Sequence, residues 1–255
     1  MLAIVILSAV LSGAAQAQAP PAPSAQVESQ IEAAQKHMQA ADFGKALEIL
    51  NMLIQGEKAA PPDVFILTAT CHLNRQETAL ALEVFERGMS LYPGQQLLEE
   101  FYVRLLSNYV PVEQMKERLD KALAISPRSP VLLRASAYLE IRLDPRSEQA
   151  RKVVDRLIEA APDNPNSHLV SGRWAMLNQQ AERAIRDWET ALTLAGNDNR
   201  MRMDILTLLG EVENTLNRAD RAEAAFKKAL EINAGLPEPN AASAFFYAEF
   251  LAKQS

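Results

Sequence analysis

Apolar and polar positions along this chain follow a helical period, and the same cadence returns again and again. Ala81, Phe85 and Gly88 are followed by Pro93; Met115, Leu119 and Ala122 by Pro127; Ala150, Val154 and Leu157 by Pro162. It recurs as Ala184, Trp188 and Ala191, as Ala222, Phe226 and Ala229, and in an early version as Ala46, Leu50 and Leu53. The steps from Ala46 to Ala81, Met115, Ala150 and Ala184 are 35, 34, 35 and 34 residues. Apolar residues three and four apart lie on one face of a helix, so each cadence predicts an amphipathic helix. Polar or breaking stretches at residues 42–44, 74–76, 110–111, 143–146, 178–180 and 217–220 divide each period in two, which makes every unit a helix hairpin.

The residue types fit that geometry. Ala46, Ala81, Ala150, Ala184 and Ala222 let the second helix approach the first, and the large residue four positions on fills the gap between them. Pro93, Pro127 and Pro162 stop the second helix, because proline lacks an amide donor and disfavours helix in the residue before it. A pair of short helices cannot bury its apolar face alone, so neighbouring hairpins must stack to complete the core.

A small residue, a large one four positions on, another small one and then proline, at this period, resembles the tetratricopeptide repeat, and the resemblance covers the chain after Glu28. It implies an all-α fold, a right-handed α-α superhelix of about six hairpins plus a C-terminal helix. The repeats fall at residues 27–60, 62–94, 96–129, 131–164, 165–198 and 203–236, with a terminal helix at 240–253. Gly172 and Gly210 stand at the close-packing position of the first helix, with Ala34, Ala69, Val103 and Tyr138 in the equivalent places. Met115, where a small residue is expected, and the insertion at 196–200 mark places of local irregularity. The terminal helix resembles a seventh first helix without a partner; it either caps the array or precedes further repeats, and Phe245, Phe246, Tyr247 and Phe250 favour the second or a docking partner.

The first residues differ from everything after them. Residues 2–11 are an apolar run followed by small residues and the Ala-Gln-Ala of residues 15–17, the pattern of a secretory signal peptide. The run is half of the roughly 20 residues a spanning helix needs, which favours cleavage over a retained anchor. No Lys or Arg precedes it, and no Cys follows Leu11, Ser12 and Gly13, which removes a lipoprotein. Residues 1–17 are therefore expected to be a signal peptide, 18–27 a Pro/Ala-rich linker and 28–255 the helical domain, exported to the periplasm.

Composition narrows the chemistry. A net charge of −6 with interspersed signs offers no cationic surface for nucleic acid. The one cysteine, Cys71, allows neither an internal disulfide nor a cysteine zinc site. His37 and His72, where the repeat usually places a tyrosine, and His168 lie in three separate units, and no His-Glu-x-x-His occurs, so no metal or other cofactor is expected. The acids Glu99, Glu100, Glu211 and Glu213 are expected as ordinary helix carboxylates, and Trp174 and Trp188 as core. Without a nucleophile elbow, a phosphate loop or a dinucleotide turn, the chain is not expected to be an enzyme.

The resemblance implies a protein-binding scaffold. First helices of such repeats line a concave groove that grips a peptide through positions two, five, nine and twelve. The ninth positions are then Gln35, Thr70, Arg104, Leu139, Arg173 and Glu211, and the twelfth Met38, Leu73, Ser107, Arg142, Met176 and Asn214. The Lys/Asn carboxylate clamp of chaperone-binding members is missing. Arg104, Arg142 and Arg173 among Leu139, Leu169 and Met176 form the expected groove patch, suited to an apolar segment that carries acidic groups. Two functional expectations follow: an adaptor that assembles envelope complexes, or an arm of a longer chain whose remaining part holds a separate activity.

Overall fold

The computed structural model describes residues 24–56, 60–239 and 241–254, and all regular structure among them is α-helical. Residues 1–17, expected to be a signal peptide, lie outside the described residues. The helices are α1 (Ala25–Gln39), α2 (Phe43–Gln55), α3 (Pro62–Asn74), α4 (Thr78–Leu91), α5 (Gln96–Tyr109), α6 (Val112–Ile125), α7 (Pro130–Leu143), α8 (Glu148–Ala160), α9 (Pro165–Leu177), α10 (Ala181–Leu194), α11 (Asn199–Thr215), α12 (Ala219–Ala234) and α13 (Ala242–Gln254). Consecutive helices pack as hairpins in α1 with α2, α3 with α4, α9 with α10 and α11 with α12, the all-α architecture of a tetratricopeptide-type solenoid. The chain forms two compact units, Met1–Leu132 and Leu133–Ser255, with the boundary inside α7. Helix α1 opens at Ala25, three residues ahead of the expected start, because the Ser24 hydroxyl caps it through the Val27 amide.

Four of the hairpin turns share one construction. Ala41, Gln76, Gln179 and Asn217 take left-handed backbone at φ 57°, 63°, 60° and 58°. The next amide in each case, on Asp42, Glu77, Gln180 and Arg218, donates to the carbonyl five residues back, on His37, His72, Ala175 and Glu213, at 2.9 Å. This closes the last turn of the first helix and satisfies a carbonyl that would otherwise be orphaned. In three of the four turns the side chains of those two residues also pair: His37 with Asp42 at 3.8 Å, His72 with Glu77 at 2.7 Å and Arg218 with Glu213 at 3.3 Å. His37 and His72 thus stand where the sequence placed them, and both face carboxylates. The His72 hydrogen bond holds the Glu77 carboxyl below the ordinary glutamate range.

The turns between hairpins repeat as well. The residues before the three prolines, Tyr92, Ser126 and Ala161, share φ from −125° to −146° and ψ from 68° to 73°, outside the helical region, as proline demands of its predecessor.

Two stripes of the first helices α3, α5, α9 and α11 are largely buried. Counting so that Gly172 and Gly210 are position eight, positions three, seven and ten face the preceding hairpin and positions four, eight and eleven face the helix's own partner. In α11 the first stripe is Ile205, Leu209 and Val212 and the second is Leu206, Gly210 and Glu213, all buried. The second stripe receives the large residue of the following helix: Phe226 lies over Gly210, and the Trp188 indole lies over Gly172 and donates to the Leu169 carbonyl. A Cβ on Gly210 would stand 2.6 Å from Phe226 Cε1, and one on Gly172 would collide with Nε1, Cδ1 and Cε2 of the Trp188 indole. In α3, Phe65 at position four meets Gly88 of α4.

The expected irregularities resolve locally. Four additional residues separate Gly210 from Gly172, 38 rather than the usual 34, and they appear as one more turn at the start of α11, capped by Asp198 onto the Met201 amide at 3.0 Å. Met115 is half-buried where the other hairpins bury an alanine, and the α5–α6 turn shortens to Val110 and Pro111 in extended backbone.

Gly172→Ala is expected to destabilise the protein by about 1–3 kcal/mol, because the methyl group drives Trp188 out of its rotamer. Urea unfolding followed by tryptophan fluorescence measures this; an unchanged midpoint would contradict the seat.

Candidate binding face of the second unit

The third face of the first helices, positions two, five, nine and twelve, is turned away from both neighbours. In the second unit α7 and α9 bring this face together at their C-terminal ends, where Asn178 Nδ2 donates to the Pro145 carbonyl at 2.9 Å. Arg173 is exposed on it at position nine of α9, and Arg142, one residue past the buried Ile141 that holds position twelve of α7, is exposed at its edge; neither has an ion-pair partner among the described residues. Met176 is half-buried beside Arg173, and so is Leu169, one turn earlier on α9.

Leu139 does not join them. It is only 4% exposed and belongs to the core, while its neighbour Tyr138 is 41% exposed. The register expected for α7 was one residue too far along, because the α7–α8 turn holds four residues, 144–147, where the α9–α10 turn holds three. Asp144 makes the longer turn: its carboxylate accepts from the Arg146 amide at 2.9 Å and its carbonyl from the Ser147 amide at 3.2 Å. Ser147 then caps α8 through the Ala150 amide. Position eight of α7 is therefore the buried Ala137, not Tyr138, and Tyr138 takes position nine. Arg104 is exposed on α5 in the first unit, its guanidinium 5.2 Å from the centre of the Phe101 ring.

The face also gathers residues not singled out from sequence. Leu143 and Leu177 are 52% and 47% exposed on either side of the Asn178–Pro145 bond, and with Tyr138 and Met176 they give the two arginines an apolar surround. Their signal was the Asp-Pro-Arg-Ser turn, which sets the α7 register.

Charge changes sign along the same face. Position nine is Tyr138 in α7, Arg173 in α9 and Glu211 in α11. Burial, and then the carboxylate of Glu249 on α13, hold the Glu211 carboxyl above the ordinary glutamate range. The remaining candidates do not converge. His168 Nε2 lies 2.7 Å from the Pro162 carbonyl, and burial pushes the Cys71 thiol up to about 11, which leaves it protonated and unreactive near neutral pH. Glu99 is buried, with the Ser129 hydroxyl donating to it at 2.6 Å. Among the described residues no group of three or more His, Cys, Asp or Glu side chains is placed to hold a metal ion, and no helix is long and apolar enough to cross a membrane.

Residues 175–237 match the tetratricopeptide repeat family. They run from the end of α9 through α12 and include the Gly210 seat. The fold is similar to that of pilF from Pseudomonas aeruginosa, at 15% identity and a TM-score of 0.57 over 89% of this chain and 97% of that one. It is similar also to PilW, a widely conserved type IV pilus biogenesis factor, at 16% identity and a TM-score of 0.54 over 81% and 93%. A thermophilic tetratricopeptide protein of Thermus thermophilus aligns at 20% identity and a TM-score of 0.55 over 75% and 99%. At these identities the likeness is one of fold. No match is found among curated proteins.

Because Glu211 is harder to charge in the folded protein than in the unfolded chain, native stability falls as pH rises from the ordinary glutamate range through the raised value. Glu211→Gln is expected to raise the melting temperature at neutral pH and to lose that advantage at pH values where glutamate is protonated in either state. Thermal melts of both proteins across that range test it; a gain that does not depend on pH would contradict the assignment.

Proposed function

We propose that this protein is an exported scaffold, without enzymatic activity of its own, that assembles protein complexes in the bacterial cell envelope through the face of α7 and α9. The observation that supports this reading best is the pair of exposed, unpaired arginines, Arg142 and Arg173, set among Tyr138, Leu143, Met176 and Leu177. An arginine can bind a carboxylate through two parallel hydrogen bonds, and methionine and leucine adapt to an apolar side chain. The ligand class is then a peptide segment with acidic and apolar residues. Residues 1–17 would direct export and leave the helical domain in the periplasm. PilW, a pilus biogenesis factor of the same fold, supports an assembly role, as does the general use of these repeats for protein binding. Arg104 would serve a separate contact on the first unit.

The test is crosslinking in cells, followed by co-purification from the periplasmic fraction, with the native chain and an Arg142→Glu, Arg173→Glu variant. The native chain is expected in that fraction with one envelope protein attached, and the variant is expected to lose that protein at unchanged helicity. Equal recovery by both would move the binding surface elsewhere, and retention of the chain in the cytoplasm would refute the export step.

A further inference from the structure

The free face of the second unit keeps its charges apart. With Ala137, Gly172 and Gly210 at position eight, position five is Arg134 in α7 and Leu169 in α9, and position nine is Tyr138, Arg173 and Glu211 in α7, α9 and α11. Arg134 and Glu211 are half-buried and Arg173 is exposed, and none of the three has an ion-pair partner among the described residues. Two other arginines of the same unit show the alternative. Arg183 of α10 lies 3.7 Å from Asp187 and 3.8 Å from Asp155, and Arg218, just ahead of α12, pairs with both Glu182 and Glu213. Neutralisation within the fold is thus available nearby, and the free face goes without it.

An unpaired, half-buried carboxylate carries a cost. Burial, and then Glu249 of α13, disfavour the charged form of Glu211, and no ion pair among the described residues offsets that. A ligand cation at this place would recover the loss, and a ligand carboxylate would deepen it. Arg173, at the same position one repeat earlier, has the opposite requirement. Packed helices stand roughly 10 Å apart, and an extended segment advances about 3.3 Å per residue. A segment lying across α7, α9 and α11 therefore meets the two signs about three to six residues apart. Tyr138, Leu169 and Met176 on the same face offer apolar contact beside the charges.

We propose that the ligand of this face is an extended segment of a partner protein with charge of both signs, its acidic residue held by Arg134 and Arg173 and its basic residue by Glu211, with apolar residues between them. This rests on the scaffold reading above and adds to it the basic residue, its spacing from the acidic one and the part played by Arg134. The residues ahead of α1 do not fit the description, since residues 1–23 hold no Asp, Glu, Lys or Arg. Charge complementarity selects the occupant: a segment acidic throughout would leave Glu211 facing a like charge, and one basic throughout would do the same to the arginines.

The probes are peptide pools with blocked termini, in which two charged positions stand about three to six residues apart and the positions between are drawn from Leu, Met, Ala and Ser. One pool carries Glu and Lys at the charged positions, a second Glu at both and a third Lys at both. Fluorescence anisotropy with the full chain is expected to show the mixed pool bound roughly tenfold more tightly than either of the others. Glu211→Lys should turn that preference toward the pool with Glu at both positions. Glu211→Gln, which keeps the shape of the side chain, should bring those two pools level, and Arg134→Gln should weaken the mixed pool several-fold. Equal binding of the mixed and the Glu-only pools by the native chain, a preference that survives Glu211→Lys, or no binding of any pool would overturn the proposal. So would a dimer in sedimentation that Arg173→Glu dissociates, since a second copy would then fill the face. The crosslinking variant alters arginines alone, so an envelope protein lost there together with equal pool binding here would leave the scaffold and remove its two-signed ligand, whereas failure of both experiments would remove the scaffold as well.

Discussion

A large side chain on the second helix of each hairpin needs a vacancy on the first, and most of this structure follows from supplying it. Phe226 over Gly210 and Trp188 over Gly172 bring two backbones close enough that a single methyl group has no place. Once that approach is fixed, positions four, eight and eleven of the first helix are committed to the hairpin and positions three, seven and ten to the preceding one. The remaining face is left free for other work. The turns then have to deliver the second helix in register. Four of them do so with a left-handed residue and the same long backbone hydrogen bond, even though none of Ala41, Gln76, Gln179 and Asn217 is glycine. Tertiary packing therefore sustains a backbone conformation that costs a non-glycine residue on the order of 1 kcal/mol or more.

The free face has a direction. It is basic and apolar on α7 and α9 and turns acidic at Glu211, where burial and a facing carboxylate resist ionisation. A ligand with an acidic group near Arg142 and Arg173 and a basic one toward Glu211 would relieve both ends, whereas the reversed ligand would aggravate them. On the proposed reading, charge would set a ligand's orientation and the leucines, the tyrosine and the methionine its grip, a division of labour common at protein interfaces.

Much of this was readable from the chain. The period from Ala46 to Ala184, the prolines and the glycines at 172 and 210 fit stacked hairpins, which bury those residues at that spacing. What escaped was register inside a single helix. The spacing of the other hairpins would put Tyr138 in the close-packing position before Ala150, but Asp144 builds a turn one residue longer, so Leu139 goes to the core and Tyr138 to the surface. Helical rotation of about 100° per residue makes such a slip decisive, since it moves a side chain from one face to the next. The pairing of His37 and His72 with carboxylates was equally invisible, because it depends on a left-handed residue that no glycine announced. The terminal helix was half legible: its aromatic residues were plain, but only the structure divides them into Phe250 and Tyr247, against Phe226, and Phe245, which faces solvent.

The seat that organises each hairpin is tested most directly by a double-mutant cycle on its two halves. Unfolding free energies would be measured for Gly210→Ala, Phe226→Leu and the two combined. If the phenylalanine occupies the space the missing methyl group vacates, the smaller leucine accommodates the alanine, and the double variant is more stable than the sum of the single losses predicts by about 0.5–3 kcal/mol. Additive losses would mean that Phe226 and position 210 are energetically independent, and that something other than this seat sets the approach of the two helices.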